Sequence, residues 1–371
     1  MLKRNPKICF NVIFGKIELN SPYLWKKGRW SKPLIDEMGI THNGRSQAVS
    51  RALSDFGSEE SFARAAIRFK EHYKYELSSS TVDRVTKAVS IEAQVYVEDK
   101  LFEAGERYGQ ETGNKVEEML IELDGSELRT ARLRPKENAK EKSPVRQNPK
   151  KEKVINWHEV RIGLARPVNS VTKTYIGKMD LYPGVVNQLF NAAVLSGMSP
   201  ETKVIGIADG GNGLKEELES QFENLQFILD KTHLKDHFYE TAEALGIDGK
   251  DRSEWVHGNL DRISKGQVDE VIEELEATNK DSNTHRVKRL VGYLRRFINS
   301  INYEEFKKEG YPIGSGEVES AHKSIPQKRM KLPGICWHPE RINPMLSLRV
   351  LRANDWWDNF WKSCTDQKLA A

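Results

Sequence analysis

Cysteine is scarce in this chain, and the scarcity argues against several classes at once. The 371 residues include only Cys9, Cys336 and Cys364, far apart in sequence. They form no Cys-x-x-Cys pair and no even-numbered framework, which argues against a disulfide scaffold or zinc ribbon and fits a reducing compartment. Long apolar runs are also missing. No segment approaches the roughly 20 residues of a membrane span. The N-terminal "ICFNVIFG" is too short and too poorly flanked for a secretory signal. A cytoplasmic protein without a membrane segment is expected. A large excess of one charge is absent as well: 58 Lys and Arg stand against 54 Asp and Glu, a net +4. Total charge therefore does not point to nucleic acid, and its distribution has to be read instead. With 38% hydrophobic and 30% charged residues, the composition is that of a polar globular protein. The length suits one large domain plus a small one, or two modest domains.

Along the chain, residues 1–45 read as a short β and loop region. Helical periodicity begins near Ser46. In "SEESFARAAIRFKEHY", Phe62, Ala65, Ala66 and Phe69 follow the spacing of one buried helix face. In "SSSTVDRVTKAVS", Ser or Thr81 can cap a second helix with Val82, Val85 and Val89 inward. Two such helices resemble a helix-turn-helix over residues 46–112, with Ser80, Asp83, Arg84 and Lys87 outward for phosphates and base edges. On pattern alone they are equally an ordinary helical pair. A long helix over about 88–110 is expected to lead onward.

At Val116 the period switches to two. "VEEMLIELDGSELRTARLR" reads as a strand, with Leu120, Glu122 and Asp124 on one face. "RPKENAKEKSPVRQNPKKEK" reads as a mobile loop, "NWHEVRIGLARPV" and "KTYIGKM" as further strands, and "LYPGVVNQLFNAAVLSG" as a helix ending at Gly197. "KVIGIADGGNG" and "NLQFILD" are apolar strands closing on Asp209 and Asp230. Residues 231–310 carry only helical periodicity, through Val268, Val271, Ile272 and Leu275, then Val287, Leu290, Val291, Leu294, Phe297 and Ile298. This is an all-helical insertion between a first core part, 113–230, and a last part, 311–371.

Three acids stand out by location: Asp124 in or at the end of a strand, Asp209 closing an apolar strand, and Glu319 on a helix after the insertion. Strand ends are where open α/β sheets build sites. Clustered carboxylates suit Mg²⁺, and a pair of such ions can serve phosphoryl transfer. Each acid taken alone is more readily a solvated turn residue or helix cap.

The order strand-Asp, strand-Asp-Gly, helix-Glu resembles DDE transposases with an RNase H-like, retroviral-integrase-like core. More narrowly it resembles the Kra-type family of bacterial insertion-sequence transposases. The resemblance rests on "SFARAAIRF" with "SSSTVDRVT", "IELDGSE", "NWHEVRIG", "IADGGNGLKEEL", "FILDKTHLKDHFYE", "IGSGEVESAHKSIPQKRMK" and the terminal "LSLRVLRANDWWDNFW", in order over roughly residues 60–361. It implies an α/β fold: an RNase H-like mixed sheet with flanking helices, the all-helical insertion, and an N-terminal helix-turn-helix-like domain. It implies Mg²⁺-dependent DNA cleavage and strand transfer, with two ions, replaceable by Mn²⁺, on Asp124, Asp209 and Glu319. Implied partners are transposon-end DNA, target DNA and further copies of the chain, in the nucleoid-associated cytoplasm. Glu122, which shares a face with Asp124, is open as a ligand. Asp230 and His233 form the family's Asp-x-x-His, with His233 open between DNA binding, carboxylate orientation and helix capping.

Expected DNA contacts are Ser80, Arg84, Lys87, His233, Lys323, Lys328, Arg329 and Lys331. Residues 129–153 add ten Lys or Arg against three Glu, which reads either as phosphate-binding charge or as a solvated loop. Lys323, four residues past Glu319, is either a phosphate holder or the partner in a surface ion pair. Trp356, Trp357 and Trp361 read as packing for a C-terminal helix. Family members often begin with a Cys-rich zinc-binding region, and the corresponding "YLWKKGRWSKPLIDEMG" has no cysteine. The alternative is therefore a catalytically inactive transposase that only binds DNA. A second alternative is an RNase H-like nuclease that cuts without joining. On a helix, Glu317 and Glu319 point roughly 200° apart, so one metal site takes only one of them. The resemblance selects Glu319 and leaves Glu317 as a first-turn acid.

Overall fold

The computed structural model describes residues 2–4, 7–26, 28–31, 33, 44–110, 115–135, 151–282 and 284–370. The chain folds into two compact units, each assembled from separate segments. The first takes Met1–Lys100, Glu127–His158 and Lys323–Ala371; the second takes Leu101–Ser126 and Glu159–His322. Most of the basic loop expected at 134–153 lies outside the described residues.

The first unit opens with short antiparallel pieces. β2 (Lys7–Val12) pairs with β3 (Gly15–Asn20), and β1 (Leu2–Arg4), β4 (Tyr23–Lys26) and β5 (Arg29–Ser31) form a small sheet. Helix α1 (Gln47–Glu59) starts where Ser46 accepts from the Val49 N–H, and α2 (Phe62–Tyr73) where Ser61 accepts from Arg64. Lys74, with φ 62°, turns the chain out of α2. The next helix, α3 (Ser79–Gly105), runs 27 residues without a break, where the sequence suggested a short helix followed by a long one. Val82, Val85 and Val89 are buried along it, as their spacing predicts. The same unit closes with α13 (Ile342–Ala353) and α14 (Trp357–Ala370). Here Trp357, Phe360 and Trp361 are buried with ring centroids 5.3–6.5 Å apart, so these aromatics pack.

The second unit is built on a five-stranded sheet ordered β10-β9-β6-β7-β8. The strands are β6 (Glu118–Pro135), β7 (Lys151–Pro167), β8 (Thr174–Lys178), β9 (Lys203–Ala208) and β10 (Leu225–Leu229), of which residues 127–135 of β6 and 151–158 of β7 belong to the first unit. β9 runs parallel to β6 and β10, and β8 runs antiparallel to β7. A mixed sheet in this order with flanking helices is compatible with an RNase H-like fold. In β6, Met119, Leu120, Ile121 and Leu123 are all buried, so both faces of the strand are covered and strict alternation is lost. The flanking helices include α4 (Tyr182–Leu195), entered with Pro183 in its first turn, and α5 (Leu214–Gln221). From α6 (Lys231–Ala244) the chain is helical through α7 (Gly249–Ser264), α8 (Val268–Ser282), α9 (His285–Arg296) and α10 (Tyr303–Lys308). The apolar stripes expected on α8 and α9 are buried, except that Ile298, beyond α9, is half-buried. The last helix of this unit is α11 (Gly316–His322). It gives way to a π-helical turn at Lys323–Gln327 that contains Pro326, and to the single turn α12 (Lys328–Met330) in the first unit.

Candidate active site

The register of three parallel strands sets the site. Leu123 of β6 pairs with Ala208 of β9, and Ala208 pairs with Leu229 of β10. The next residue on each strand is an aspartate: Asp124, Asp209 and Asp230. Three aspartates therefore stand in a row on the edge where open α/β sheets place their ligands. Asp209 and Asp230 lie just past the C-terminal ends of β9 and β10, whereas Asp124 is not at a strand end but inside β6, where its parallel pairing with β9 stops.

Asp230 is consumed by structure. Its Oδ1 caps α6, accepting from the N–H of Thr232 at 2.6 Å and of His233 at 3.0 Å. Its Oδ2 accepts from both the backbone N–H and the hydroxyl of Ser315, each at 2.6 Å. Burial alone would raise this carboxyl, but the Ser315 and His233 hydrogen bonds hold it below the usual range. Asp230 thus locks the Gly-Ser-Gly turn ahead of α11 to the sheet. His233 gives its backbone N–H to this cap, and its charge also acts on Asp124.

Glu122 and Glu317 are also committed. Glu122 is 2% exposed, and its Oε2 accepts from the Val318 N–H at 2.7 Å, gripping the first turn of α11. Burial pushes its carboxyl up to about 7, with the Glu317 charge adding to the rise and the Val318 hydrogen bond, Arg166 and Lys173 opposing it. Glu317 receives Arg166 through two nitrogens, Nη2 at 2.7 Å and Nε at 3.0 Å, and Lys173 at 2.9 Å. Although its burial opposes them, these partners hold the Glu317 carboxyl below its ordinary value. Glu319 projects from the same helix and is exposed.

Asp124 and Asp209 remain available. Asp124 Oδ1 accepts from the Gly125 N–H at 2.8 Å. Burial raises this carboxyl to about 6. The Gly125 hydrogen bond opposes the rise, the charge of Asp209 adds to it, His233 opposes it, and Glu319 adds again. Of the three acids singled out from sequence, Asp209 and Glu319 thus both act electrostatically on Asp124. Asp209 Oδ1 accepts from the Gly211 N–H at 3.2 Å. Two tyrosines close in on this turn. A Cβ on Gly210 would lie 2.3 Å from Tyr293 Oη, and one on Gly211 would lie 2.7 Å from Tyr182 Oη. Only glycines admit both rings. Both phenols are raised, first by burial and then by the Asp209 charge. Arg161 stacks on the Tyr182 ring at 4.2 Å.

One residue of this site was missed in the sequence. His322 is 3% exposed, and its Nε2 lies 3.1 Å from the Asp124 carbonyl oxygen and 3.3 Å from Asp124 Oδ2. Because a carbonyl only accepts, Nε2 must carry the proton. The available signal was its position three residues after Glu319, which on a helix is a neighbouring position.

The donor set of Asp124, Asp209 and Glu319 is all oxygen, which matches a hard divalent cation. Burial is the main cause of the rise at Asp124, and the smaller contributions from the charges of Asp209 and Glu319 are what such a cation would relieve. As the side chains stand, no three His, Cys, Asp or Glu among the described residues form a group able to hold a metal.

The expected DNA contacts separate by exposure. Ser80, Arg84 and Lys87 are exposed on α3, while Asp83 between them pairs with Arg341 at 2.8 Å. Lys323 and Lys331 are exposed. Lys328 pairs with Glu59 at 2.5 Å. Arg329 does not sit where a DNA contact was expected. It is 1% exposed, donates from Nε to the Gly57 carbonyl at 2.9 Å, and lies between the rings of Phe62 and Trp337. A guanidinium so enclosed serves the core of the first unit.

No protein-family model matches the chain, so the Kra-type resemblance stands on its motifs alone. No curated protein matches it. Among solved structures it is similar to the Drosophila P element transposase strand transfer complex, at 12% identity and a TM-score of 0.26, over 88% of this chain and 83% of that one. A likeness this distant carries no argument. Among the described residues, no helix is long and apolar enough to cross a membrane.

Proposed function

We propose that the second unit is an RNase H-like catalytic core that cleaves and joins DNA as a transposase of the DDE type. The observation that carries this reading is the strand register, which sets Asp124 beside Asp209 while Asp124 also responds to the charge of Glu319. Asp124, Asp209 and Glu319 would hold Mg²⁺. When bound, such ions supply charge stabilisation and an activated oxygen nucleophile for in-line displacement at phosphorus. The other residues position. His322 fixes the backbone and one carboxylate oxygen of Asp124. Asp230 and Glu122 hold α11, and with it Glu319, against the sheet. Tyr182 and Tyr293 enclose the Asp209 turn. Pairing two transposon ends for joining would call for more than one copy of the chain.

The test is strand cleavage of end-containing DNA with Mg²⁺. Asp209→Asn and Glu319→Gln should each abolish cleavage and leave DNA binding in place. Full activity in either variant would sink the proposal. Joined products in a target plasmid would separate transfer from cleavage alone. A second reading, a chain that binds DNA without cutting it, is favoured by the lack of a three-residue metal-holding group among the described residues. It predicts salt-dependent binding and no Mg²⁺-dependent product.

A further inference from the structure

The described residues of the basic run after Asp124 lie in two strands. β6 continues to Pro135, β7 begins at Lys151, and the two are neighbours in the sheet order. Thr130 Oγ1 donates to the Asn156 carbonyl at 3.1 Å and lies 2.8 Å from His158 Nδ1. Residues 127–135 and 151–158 thus make a two-stranded ribbon of the first unit. Its root is stitched on the other edge as well: Ala131 donates to the Trp337 carbonyl at 2.9 Å, and Trp337 donates to that of Arg129 at 3.1 Å.

The surface of the ribbon is unlike that of an ordinary solvated strand pair. Arg129, Arg132, Arg134, Lys151 and Lys153 are all exposed, against Glu127 and Glu152. None of these cations is ion-paired to a carboxylate among the described residues. Large apolar side chains are exposed beside them: Leu133 at 66%, Ile155 at 40% and Trp157 at 62%. Period-two alternation puts Lys151, Lys153, Ile155 and Trp157 on one face of β7.

We infer that this ribbon is a docking arm for duplex DNA. It would lie in a groove, with its cations on the flanking phosphates and Trp157 against sugar and base edges. A two-stranded ribbon is one of the shapes the major groove admits, and unpaired Arg and Lys supply the phosphate contacts that hold register. The charge complementarity is to a polyanion, and the rigid root favours one with regular geometry. The choice of DNA rests on the function proposed above.

The experiment uses the full chain in EDTA, so that binding is read without cleavage. Fluorescence anisotropy follows a mixed-sequence duplex of about 30 bp across a salt series, where each phosphate contact contributes about 0.9 to the logarithmic salt slope. With R129Q/R132Q/R134Q/K151Q/K153Q the slope should become shallower by up to about 4–5, and affinity near physiological salt should fall at least about tenfold. E127Q/E152Q should bind tighter. Trp157→Ala should weaken binding several-fold and leave the slope unchanged. These side chains are exposed, so thermal midpoints should hold; if the fivefold variant melts early, E127Q/E152Q and single R132Q and K153Q decide the question. An unchanged slope in the charge variants would overturn the arm. Equal binding of an A-form RNA duplex, with equal loss in the variants, would overturn its assignment to DNA. Cleavage by the native chain with ribbon variants unaffected would leave the catalytic reading and remove the arm. Weakened binding in the variants with no cleavage by the native chain would do the reverse.

Discussion

Replacing Glu122 by Gln should stabilise the protein above neutral pH and do little below pH 5. Glu122 is buried, and its carboxyl rises from an ordinary 4.5 to about 7. The folded state therefore holds the proton more tightly than the unfolded chain. The stability this confers is fully present below about pH 4.5 and is lost as pH rises through about 7. The difference between the two values corresponds to about 3 kcal/mol at pH 8 and above. Glutamine is nearly isosteric and keeps an amide oxygen to accept the Val318 N–H, so it removes the cost of burying a charge and retains the grip on α11. Urea unfolding in EDTA at pH 5, 6.5, 8 and 9, read by tryptophan fluorescence, should show the variant gaining relative to the native chain as pH rises. A difference that is flat with pH, or a variant less stable at pH 8, would refute the assignment of a buried, reluctantly ionised Glu122.

Other substitutions probe the parts that frame the site. Asp230→Ala should cost about 2–4 kcal/mol in denaturant unfolding, since it removes a helix cap and leaves Ser315 without its acceptor; a loss under about 1 kcal/mol would count against the lock on the Gly-Ser-Gly turn. Gly210→Ala should cost about 1–3 kcal/mol by collision with Tyr293, and the same change made in a Tyr293→Ala background should cost much less, a comparison a double-mutant cycle reads directly. Arg329→Ala should destabilise the chain by about 2–4 kcal/mol without altering the salt slope of DNA binding, whereas Lys331→Gln should do the opposite; a slope change in the Arg329 variant would return that residue to the DNA surface.

What could be read from sequence depended on whether a residue's neighbours were local. The apolar runs leading to Asp124, Asp209 and Asp230 were legible because short apolar runs closed by an acid are a local pattern, although β6 runs on past Asp124 to Pro135. Which acids stay available was not, because the answer lies across the sheet. Asp230 looks as reactive as Asp209 until Ser315, 85 positions later, takes its second oxygen. Glu122 shares a strand face with Asp124, and only the arrival of α11, 196 positions on, makes it a tether. Arg329 sat among lysines that are exposed, but a one-turn helix pointed it inward between two aromatic rings. The ribbon was legible only in part: residues 127–134 and 156–158 fall in segments that read as strands, whereas 151–153 sit in a Lys-rich stretch without apolar alternation and read as loop.

The two compact units each gather distant pieces of chain, and this bears on how the protein can be made. Arg349, 6% exposed, donates to the carbonyls of Ser58, Ser324 and Ile325 and to the Glu59 carboxylate at 3.0 Å. Its partners at Ser58 and Glu59 leave the ribosome some 290 residues before it does. At roughly 5–20 residues per second, they wait on the order of fifteen seconds to a minute for the group that closes over them. A chain released early leaves the first unit open around unsatisfied carbonyls, even though every residue of the second unit is already present. Premature termination near the end of the message would thus produce a complete set of site aspartates on a half-assembled protein. Such a product should be cleared by proteolysis rather than accumulate as a shorter functional form.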